Sequence, residues 1–245
     1  MKKKNHHVRA AVFAALAVLA IAAAAVLPAE SALTADSRSG TSDSVTLIID
    51  AGHGGADGGA VSVTGTYESA INLQIAQRLR LVCALYGVDA AMTRTTEELS
   101  YPSSAKTIRQ KKVWDQKTRL EIVNSTENAV FISIHQNIFS SASSRGIQIL
   151  YAPTEGSQEL ASAMEASFSA GLPETRLRAA SKIDTGIFLL NNITCPGVLI
   201  ECGFLSNPEE AVQLEQADYQ IKIAAAIAAG YFTSAGTAPT AWRTT

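Results

Sequence analysis

The stretch VTLIIDAGHGGADGG, residues 45–59, decides the fold of this chain. Its first half is an unbroken apolar run, typical of a strand that is buried on both faces of a parallel sheet. The run ends at His53 among five glycines. Two further apolar runs end in His135 and in Glu201. Because open α/β sheets build their sites just past the carboxyl ends of their strands, we expect these three side chains to meet at one edge of the sheet.

Strand-like and helical patterns alternate along the chain, which predicts an α/β fold with a mostly parallel sheet covered on both faces. Strands are expected at Val45–Asp50, Val88–Thr93, Ala129–Ile134, Gly146–Tyr151, Gly186–Leu190 and Gly197–Glu201. Helices are expected at Glu68–Tyr86, Val113–Ser125, Gln158–Ala170 and Pro208–Tyr231. Thr95–Lys112 is the longest stretch without a regular pattern, and such loops often flank a site.

The N-terminal segment differs in composition from the rest of the chain. Met1–Arg9 is basic, and an uncharged apolar stretch follows from Ala10 to Leu27. As a helix this stretch reaches about 27 Å, close to the thickness of a bilayer core, so it predicts an uncleaved membrane anchor or a cleaved export signal. The positive-inside rule then places the rest of the chain outside the cytoplasm. The expected layout is a signal or membrane segment over 1–29, a linker over 30–44, a folded catalytic domain over 45–232 and a flexible tail over 233–245.

Charge and cysteine content exclude several classes of function. The net charge of −2 gives no reason to expect nucleic-acid binding, which needs a basic surface. Three cysteines, an odd count, predict no complete disulfide framework, although a bridge between Cys195 and Cys202 stays open. A small basic cluster is typical of a solvated face and would also suit an anionic polymer such as a bacterial wall. The cluster consists of Lys106, Arg109, Lys111 and Lys112.

The two histidines at the strand ends and a nearby carboxylate are typical ligands of a zinc site. A catalytic zinc takes three protein ligands and leaves one position for water, while a separate carboxylate moves protons. Asp50, Asp57 and Glu68 all lie near His53 in the sequence, so the residues alone leave the carboxylate ligand open. Glu201 is the better candidate for the general base, because a carboxylate that ends an apolar run is costly unless it is paired or near a metal.

Four segments resemble the motifs of the zinc-dependent N-acetylmuramoyl-L-alanine amidases, in the order in which that family carries them. They are IIDAGHGG (48–55), YESAINL (67–73), FISIHQN (131–137) and PGVLIECGFLSN (196–207). The resemblance covers nearly the whole folded domain, from about residue 45 to residue 231. It implies one zinc ion held by His53, Glu68 and His135, with Glu201 as the catalytic carboxylate.

The resemblance also implies a fold, a reaction and a location. The fold is a three-layer αβα sandwich around a mainly parallel six-stranded sheet. The reaction is hydrolysis of the amide between N-acetylmuramic acid and the L-alanine of the stem peptide in peptidoglycan, with Asn137, Gly54 and Gly55 orienting the substrate. The implied protein is a monomer of the bacterial cell envelope, membrane-anchored or secreted, that works alone or with an accessory activator. Its short layout is similar to that of spore-cortex amidases, which implies a role in cortex maturation.

Two features depart from the family pattern. Gln136 stands where relatives usually carry a small residue, and extra residues surround Ser103, while Arg94 and Arg119 are kept. We expect these departures to affect substrate fit rather than the metal. Two other functions stay open. A zinc exopeptidase on a similar scaffold would need further metal ligands, and a non-catalytic wall-binding protein would lack one of the four site residues.

Overall fold

The computed structural model describes residues 45–184 and 186–237. The expected signal or membrane segment, the linker and residues 238–245 of the expected tail lie outside these residues. The strands are β1 (Thr46–Ala51), β2 (Ala91–Met92), β3 (Ala129–Asn137), β4 (Gln148–Tyr151), β5 (Ser181–Lys182) and β6 (Gly197–Phe204). The helices are α1 (Glu68–Leu85), α2 (Ile108–Ser125), α3 (Ser157–Gly171), α4 (Phe188–Asn192), α5 (Pro208–Leu214) and α6 (Ala217–Thr237).

The strands of the described residues form one six-stranded sheet in the order β2-β1-β3-β6-β4-β5. Neighbouring strands are parallel except for β4 and β6, which pair antiparallel. The predicted α/β fold with a mostly parallel six-stranded sheet is confirmed. Since β1, β3 and β6 lie side by side and run in the same direction, their carboxyl ends meet at one edge of the sheet.

Helices cover both faces of this sheet, as the three-layer fold requires. Along β1, Leu47 and Ile49 contact one hydrophobic cluster, whereas Ile48 contacts the other. Residues of α1, α3, α5 and α6 complete the larger cluster, and residues of α2 and α4 complete the smaller one. Burial of each such side chain contributes roughly 1.5–3 kcal/mol. The alternation therefore fixes the strand register, because a shift by one residue would exchange the two faces.

The prediction of a strand at Gly186–Leu190 is wrong. That segment leads into helix α4, and the edge position of the sheet belongs to β5, which the sequence pattern did not indicate. Asparagine side chains close the short helix, because Asn191 donates to the carbonyl of Ile187 at 2.9 Å and Asn192 donates to that of Phe188 at 2.7 Å. A short apolar run does not distinguish a strand from a helix by its periodicity.

The C-terminal helix and the start of α2 also differ from expectation. Pro208–Tyr231 contains two helices, because α5 ends at Leu214, whose carbonyl accepts a hydrogen bond from the buried Gln220 side chain at 2.7 Å. Helix α2 starts inside the expected loop, at a capping box in which Thr107 and Gln110 each bond the other's main-chain N–H. This added turn carries Arg109, Lys111 and Lys112 of the basic cluster, and Lys106 precedes it.

Among the described residues, no helix is both long and apolar enough to cross a membrane.

Candidate metal centre

The candidate site lies where β1, β3 and β6 end. His135 of β3 is paired in register with Glu201 of β6, so both side chains leave the same face of the sheet. Beyond the last residue of β1 stands Gly52, and a Cβ there would lie 2.2 Å from His135 Nε2. The absence of a side chain at Gly52 therefore gives the His135 ring its space.

Three donor side chains converge at this edge of the sheet. Among the described residues, no other group of histidine, cysteine and acidic side chains has the spacing of metal ligands. His53, Glu68 and His135 each offer a ligand atom, and these atoms all lie within 4.8 Å of one another. His53 Nε2 is 3.3 Å from Glu68 Oε2, and His135 Nδ1 is 3.0 Å from Glu68 Oε1. Ligands about 2.1 Å from a tetrahedral zinc are about 3.4 Å apart, so this set of two imidazoles and a carboxylate fits zinc and leaves a fourth position.

The three carboxylates near His53 have different surroundings. Asp50 is fully buried and is bonded to Arg119, Ser133 and Thr93, with no hydrogen bond to either imidazole among the described residues. Asp57 accepts a hydrogen bond from His53 Nδ1 at 3.0 Å, the ring nitrogen that does not face Glu68. Only Glu68, the first residue of α1, faces both imidazoles among these three. Asp50 contacts Arg119, and Asp57 contacts His53 alone of the two imidazoles.

The Glu68 carboxylate is held in place by main-chain donors. The N–H of Ala60 donates to Oε2 at 3.0 Å, and the N–H of Gln136 donates to Oε1 at 3.1 Å. Burial raises the pKa of Glu68, but the bonds from His135 and His53 outweigh it and hold the pKa well below its usual range. Glu68 is therefore an anion at neutral pH, as a metal ligand must be.

His53 is oriented through both its ring and its backbone. Burial lowers its pKa, but hydrogen bonds to Asp57 and Glu68 raise it to about 9. Its φ of 61° lies in the left-handed region that favours glycine. The guanidinium of Arg119 donates to the His53 carbonyl at 2.6 Å and holds this conformation. The Lys112 nitrogen lies 2.8 Å from the Asp57 carboxylate, so Asp57 contacts both His53 and Lys112.

The buried pair of Asp50 and Arg119 anchors the His53 loop, a role that sequence reasoning missed. Arg119 Nη1 lies 2.7 Å from Asp50 Oδ1 and also donates to the carbonyl of Ala51 at 2.7 Å. Burial raises the pKa of Asp50, but the charge of Arg119 and the hydroxyl groups of Ser133 and Thr93 lower it to about 2. The pair links β1 to α2 and fixes the strand end from which His53 projects.

Asp50→Asn should lower the free energy of unfolding by about 3 kcal/mol, because it removes the fully buried partner of Arg119 and leaves that charge with Asp115 alone. The folded-state pKa of Asp50 lies below its ordinary value of 3.8, so its stabilisation is present above that pH and is lost as the pH falls towards 2. In urea unfolding, the difference in the free energy of unfolding between wild type and variant should therefore decrease from about pH 5 to about pH 2.

Asp89→Asn is the matched control for that experiment. Asp89 is 96% exposed and lies 3.7 Å from Arg80 at the surface, so its loss should cost less than about 1 kcal/mol. Equal losses from the two substitutions would refute the anchoring role of Asp50.

Glu201 lies beside the donor cluster without belonging to it. Its Oε2 is buried and has no hydrogen-bond partner among the described residues. Burial, together with the negative charge of Glu68, raises the pKa of Glu201 to about 7 against the opposing effect of the two histidines. A carboxyl group with a pKa near neutrality can both accept and return a proton.

Gly54 and Gly55, which follow β1, form main-chain hydrogen bonds within the protein. The N–H of Gly54 donates to the Asp57 carbonyl at 2.8 Å, and the N–H of Gly55 donates to the Glu97 carbonyl at 2.7 Å. Both N–H groups have partners within the protein, and substrate binding at Gly54 and Gly55 stays a prediction. Asn137 ends β3, where its carbonyl accepts from Leu205 N at 2.8 Å.

Gly52→Ala should weaken zinc binding by at least about tenfold, because the new Cβ would collide with the His135 ring. A competition titration with a chromogenic chelator measures this loss. Gly171→Ala is the control, since a Cβ there would meet only Ala226 at an ordinary 3.7 Å. Unchanged zinc affinity in Gly52→Ala would show that His135 does not need this clearance.

Gln136 is joined to the Glu68 carboxylate by hydrogen bonds, and its effect on substrate fit stays a prediction. Its side chain is 4% exposed and donates to Asn72 Oδ1 at 3.1 Å. Asn72 in turn donates to Glu68 Oε1 at 3.3 Å and to the Gly52 carbonyl at 3.0 Å. The pairing of β3 and β6 changes register between His135 and Asn137, and both His135 and Gln136 contact residues of α1, Glu68 and Asn72.

The cysteines take no part in the site. Cys83, Cys195 and Cys202 are all free thiols in the described structure, so the bridge left open between Cys195 and Cys202 is not formed. Cys202 is buried, and burial raises the pKa of its thiol well above the ordinary range. A buried thiol of this kind is a packing residue.

A parallel sheet with two imidazoles and two carboxylates at its strand ends carries the donor set of a metal-dependent hydrolase. The model of the N-acetylmuramoyl-L-alanine amidase family matches residues 47–231, and the chain belongs to this family. It is a hydrolase of peptidoglycan that cleaves the amide between N-acetylmuramic acid and L-alanine, and it acts outside the cytoplasm. Of the functions left open by the sequence, family membership selects the amidase.

Individual relatives agree with this assignment. A germination-specific N-acetylmuramoyl-L-alanine amidase of Bacillus subtilis is 36% identical over 79% of this chain and 82% of its own length. The structure of the CwlD amidase from Clostridioides difficile, solved in complex with the GerS lipoprotein, is 36% identical with a TM-score of 0.75, over 79% of this chain and 100% of that one. An N-acetylmuramoyl-L-alanine amidase from Clostridium difficile 630 is 28% identical with a TM-score of 0.70, over 81% and 100% of the two chains.

Proposed function

We propose that this chain releases stem peptides from peptidoglycan with one zinc ion held by His53, Glu68 and His135, and with Glu201 as the proton carrier. The observation that carries the proposal is the convergence of three donor atoms within 4.8 Å beside a carboxyl group whose pKa is about 7. Bound there, zinc supplies a Lewis acid that polarises the amide carbonyl and lowers the pKa of a water molecule.

The side chains around the donors have separate tasks in this reaction. Glu201 accepts a proton from the attacking water as the new C–O bond forms, and it delivers that proton to the nitrogen of L-alanine as the C–N bond breaks. Asp57 keeps His53 Nδ1 engaged, which leaves Nε2 directed at Glu68 and the ion. Asn137 ends β3 two residues beyond His135 and is the residue that we assign to substrate binding.

We place this activity in the spore cortex and outside the cell membrane. The cortex role is supported by the relative described as germination-specific, which matches over most of its length. The CwlD amidase was solved with a lipoprotein, so we propose an accessory lipoprotein for this chain as well. Residues 45–232 then form the catalytic domain, and the basic and apolar segment over 1–29 directs export or anchors the domain.

Digestion of purified sacculi tests the reaction directly. Mass spectrometry should find peptides with a free L-alanine amine and glycan strands with intact lactyl groups. A chelator should stop their release, and added zinc should restore it. Peptides with a different N-terminal residue would contradict the assigned bond, whereas release that resists the chelator would contradict the metal.

A further inference from the structure

The loop before α2 and the first turns of this helix form an exposed aromatic and basic surface next to the site. The rings of Tyr101 and Trp114 meet edge to face, with centroids 5.8 Å apart and planes at 71°. A cavity of about 410 Å³ lies beside them, lined by Pro102, Arg109, Val113, Trp114 and Lys117 among others. We call the surface made by Tyr101, Arg109, Val113, Trp114 and Lys117 the Trp114 face.

The charge of the Trp114 face is strongly positive, although the whole chain carries −2. Residues 99–120 contain several cations and a single acidic residue, Asp115, which is bonded to Arg119 at 2.9 Å. Lys111 lies over the Tyr101 ring, with its nitrogen 5.2 Å from the centroid. Arg109 and Lys117 are exposed and form no ion pair with any described residue. This side of the domain is therefore suited to an anionic ligand.

Apolar area accompanies this charge, which separates the Trp114 face from an ordinary solvated helix surface. Val113 is 45% exposed and Trp114 is 36% exposed, and both line the cavity. An aromatic ring at the surface offers a flat apolar platform, and an arginine or lysine beside it offers a partner for carboxylates. The ligand that fits has a flat apolar face and negative charges beside it.

The Trp114 face is fixed to the loop that carries His53. The Tyr101 hydroxyl accepts a hydrogen bond from Ala56 N at 3.0 Å and donates to the Gly54 carbonyl at 3.4 Å. On the same helix, Lys112 contacts Asp57, which supports His53. A polymer on the Trp114 face therefore lies beside the loop that carries His53. The residues of α2 that line the cavity at the donor cluster are on another side of the helix: Lys112, Asp115, Gln116 and Arg119.

We propose that the Trp114 face binds an uncleaved repeat of the peptidoglycan strand next to the repeat whose amide is hydrolysed. Its N-acetylated sugar rings stack on Trp114, and the carboxylates of its stem peptide meet Arg109 and Lys117. The inference rests on the amidase function, whose substrate is a polymer that repeats both features. It assigns a role to the basic cluster and to the extra residues around Ser103.

Binding to purified sacculi in the full-length protein tests this surface without turnover. In the background of Glu201→Gln, Trp114→Ala should weaken sacculus binding by about tenfold, the loss expected for one aromatic anchor. Replacement of Arg109 and Lys117 by serine should reduce the salt dependence of binding. Leu85→Ala is the matched control, because Leu85 is 84% exposed at the far end of α1.

Kinetics on two substrates distinguish the Trp114 face from a general defect. With Glu201 intact, Trp114→Ala should raise the half-saturating amount of sacculi by about tenfold and leave kcat/KM for a single soluble disaccharide–peptide unchanged. An equal loss on both substrates would overturn the proposal. Unchanged binding of Trp114→Ala to sacculi would also overturn it, even if the variant bound an accessory protein more weakly. Failure of the amidase assignment would appear separately, as no peptide release by the wild type.

Discussion

Glu201→Gln should lower turnover on sacculi by about 100- to 10,000-fold, the range that loss of a general acid–base group covers. Glutamine keeps the size of the side chain but cannot accept the proton of the attacking water. Because Glu201 lies outside the donor group, the variant should bind as much zinc as the wild type. Release of L-alanine amines and zinc content, measured on the same preparation, check both halves of this expectation.

The stability of this variant provides a control for misfolding. Burial raises the pKa of Glu201 to about 7, so the folded metal-free protein binds its proton more tightly than the unfolded chain does. The stability that this shift contributes is therefore full below pH 4.5 and is lost as the pH rises through about 7, so the neutral amide should leave the free energy of unfolding equal or higher at pH 8. Retained turnover in a stable, zinc-loaded Glu201→Gln would remove Glu201 from the reaction.

Glu68→Gln should weaken zinc binding by more than about 100-fold, beyond the loss typical of residues that only support a ligand. The single amide oxygen can replace only one of the two carboxylate oxygens that accept from Ala60 N and Gln136 N, so the variant loses the anionic ligand and one main-chain hydrogen bond. Activity should fall in parallel at limiting zinc. Chelator competition gives the affinity, and peptide release over a range of zinc concentrations gives the activity.

Glu121→Gln serves as the matched control, since Glu121 lies exposed on α2 and contacts no ligand of the cluster. Its zinc affinity and turnover should equal those of the wild type. Asp57→Asn should lower the zinc affinity by about 10- to 100-fold, less than Glu68→Gln and more than Glu121→Gln, because Asp57 contacts His53 and not the ion. An unchanged zinc affinity in Glu68→Gln would mean that another group supplies the carboxylate.

The strand ends of this fold could be predicted from the sequence because the signal is local. An apolar run that stops at a histidine among glycines gives both the element and the position of its last side chain. The apolar runs before His135 and Glu201 placed their side chains at the same edge, and the register of β3 and β6 confirms that they are neighbours.

The supporting contacts could not be predicted, because they join residues far apart in the chain. Asp50 is only three residues from His53, and proximity alone made it a candidate ligand. Its partner is Arg119, 69 residues away, and nothing in the local pattern selects that cation among the 20 in the chain. The contact between Gln136 and Asn72 spans 64 residues in the same way. Helix α4 was missed because its closing hydrogen bonds come from asparagine side chains.

Titration of zinc into metal-free protein, with peptide release followed at each addition, tests the central claim most directly. Activity should rise linearly and saturate at one zinc per chain, and Glu201→Gln should bind the same single equivalent without activity. Saturation at two equivalents, or full activity in the metal-free protein, would contradict the single site formed by His53, Glu68 and His135.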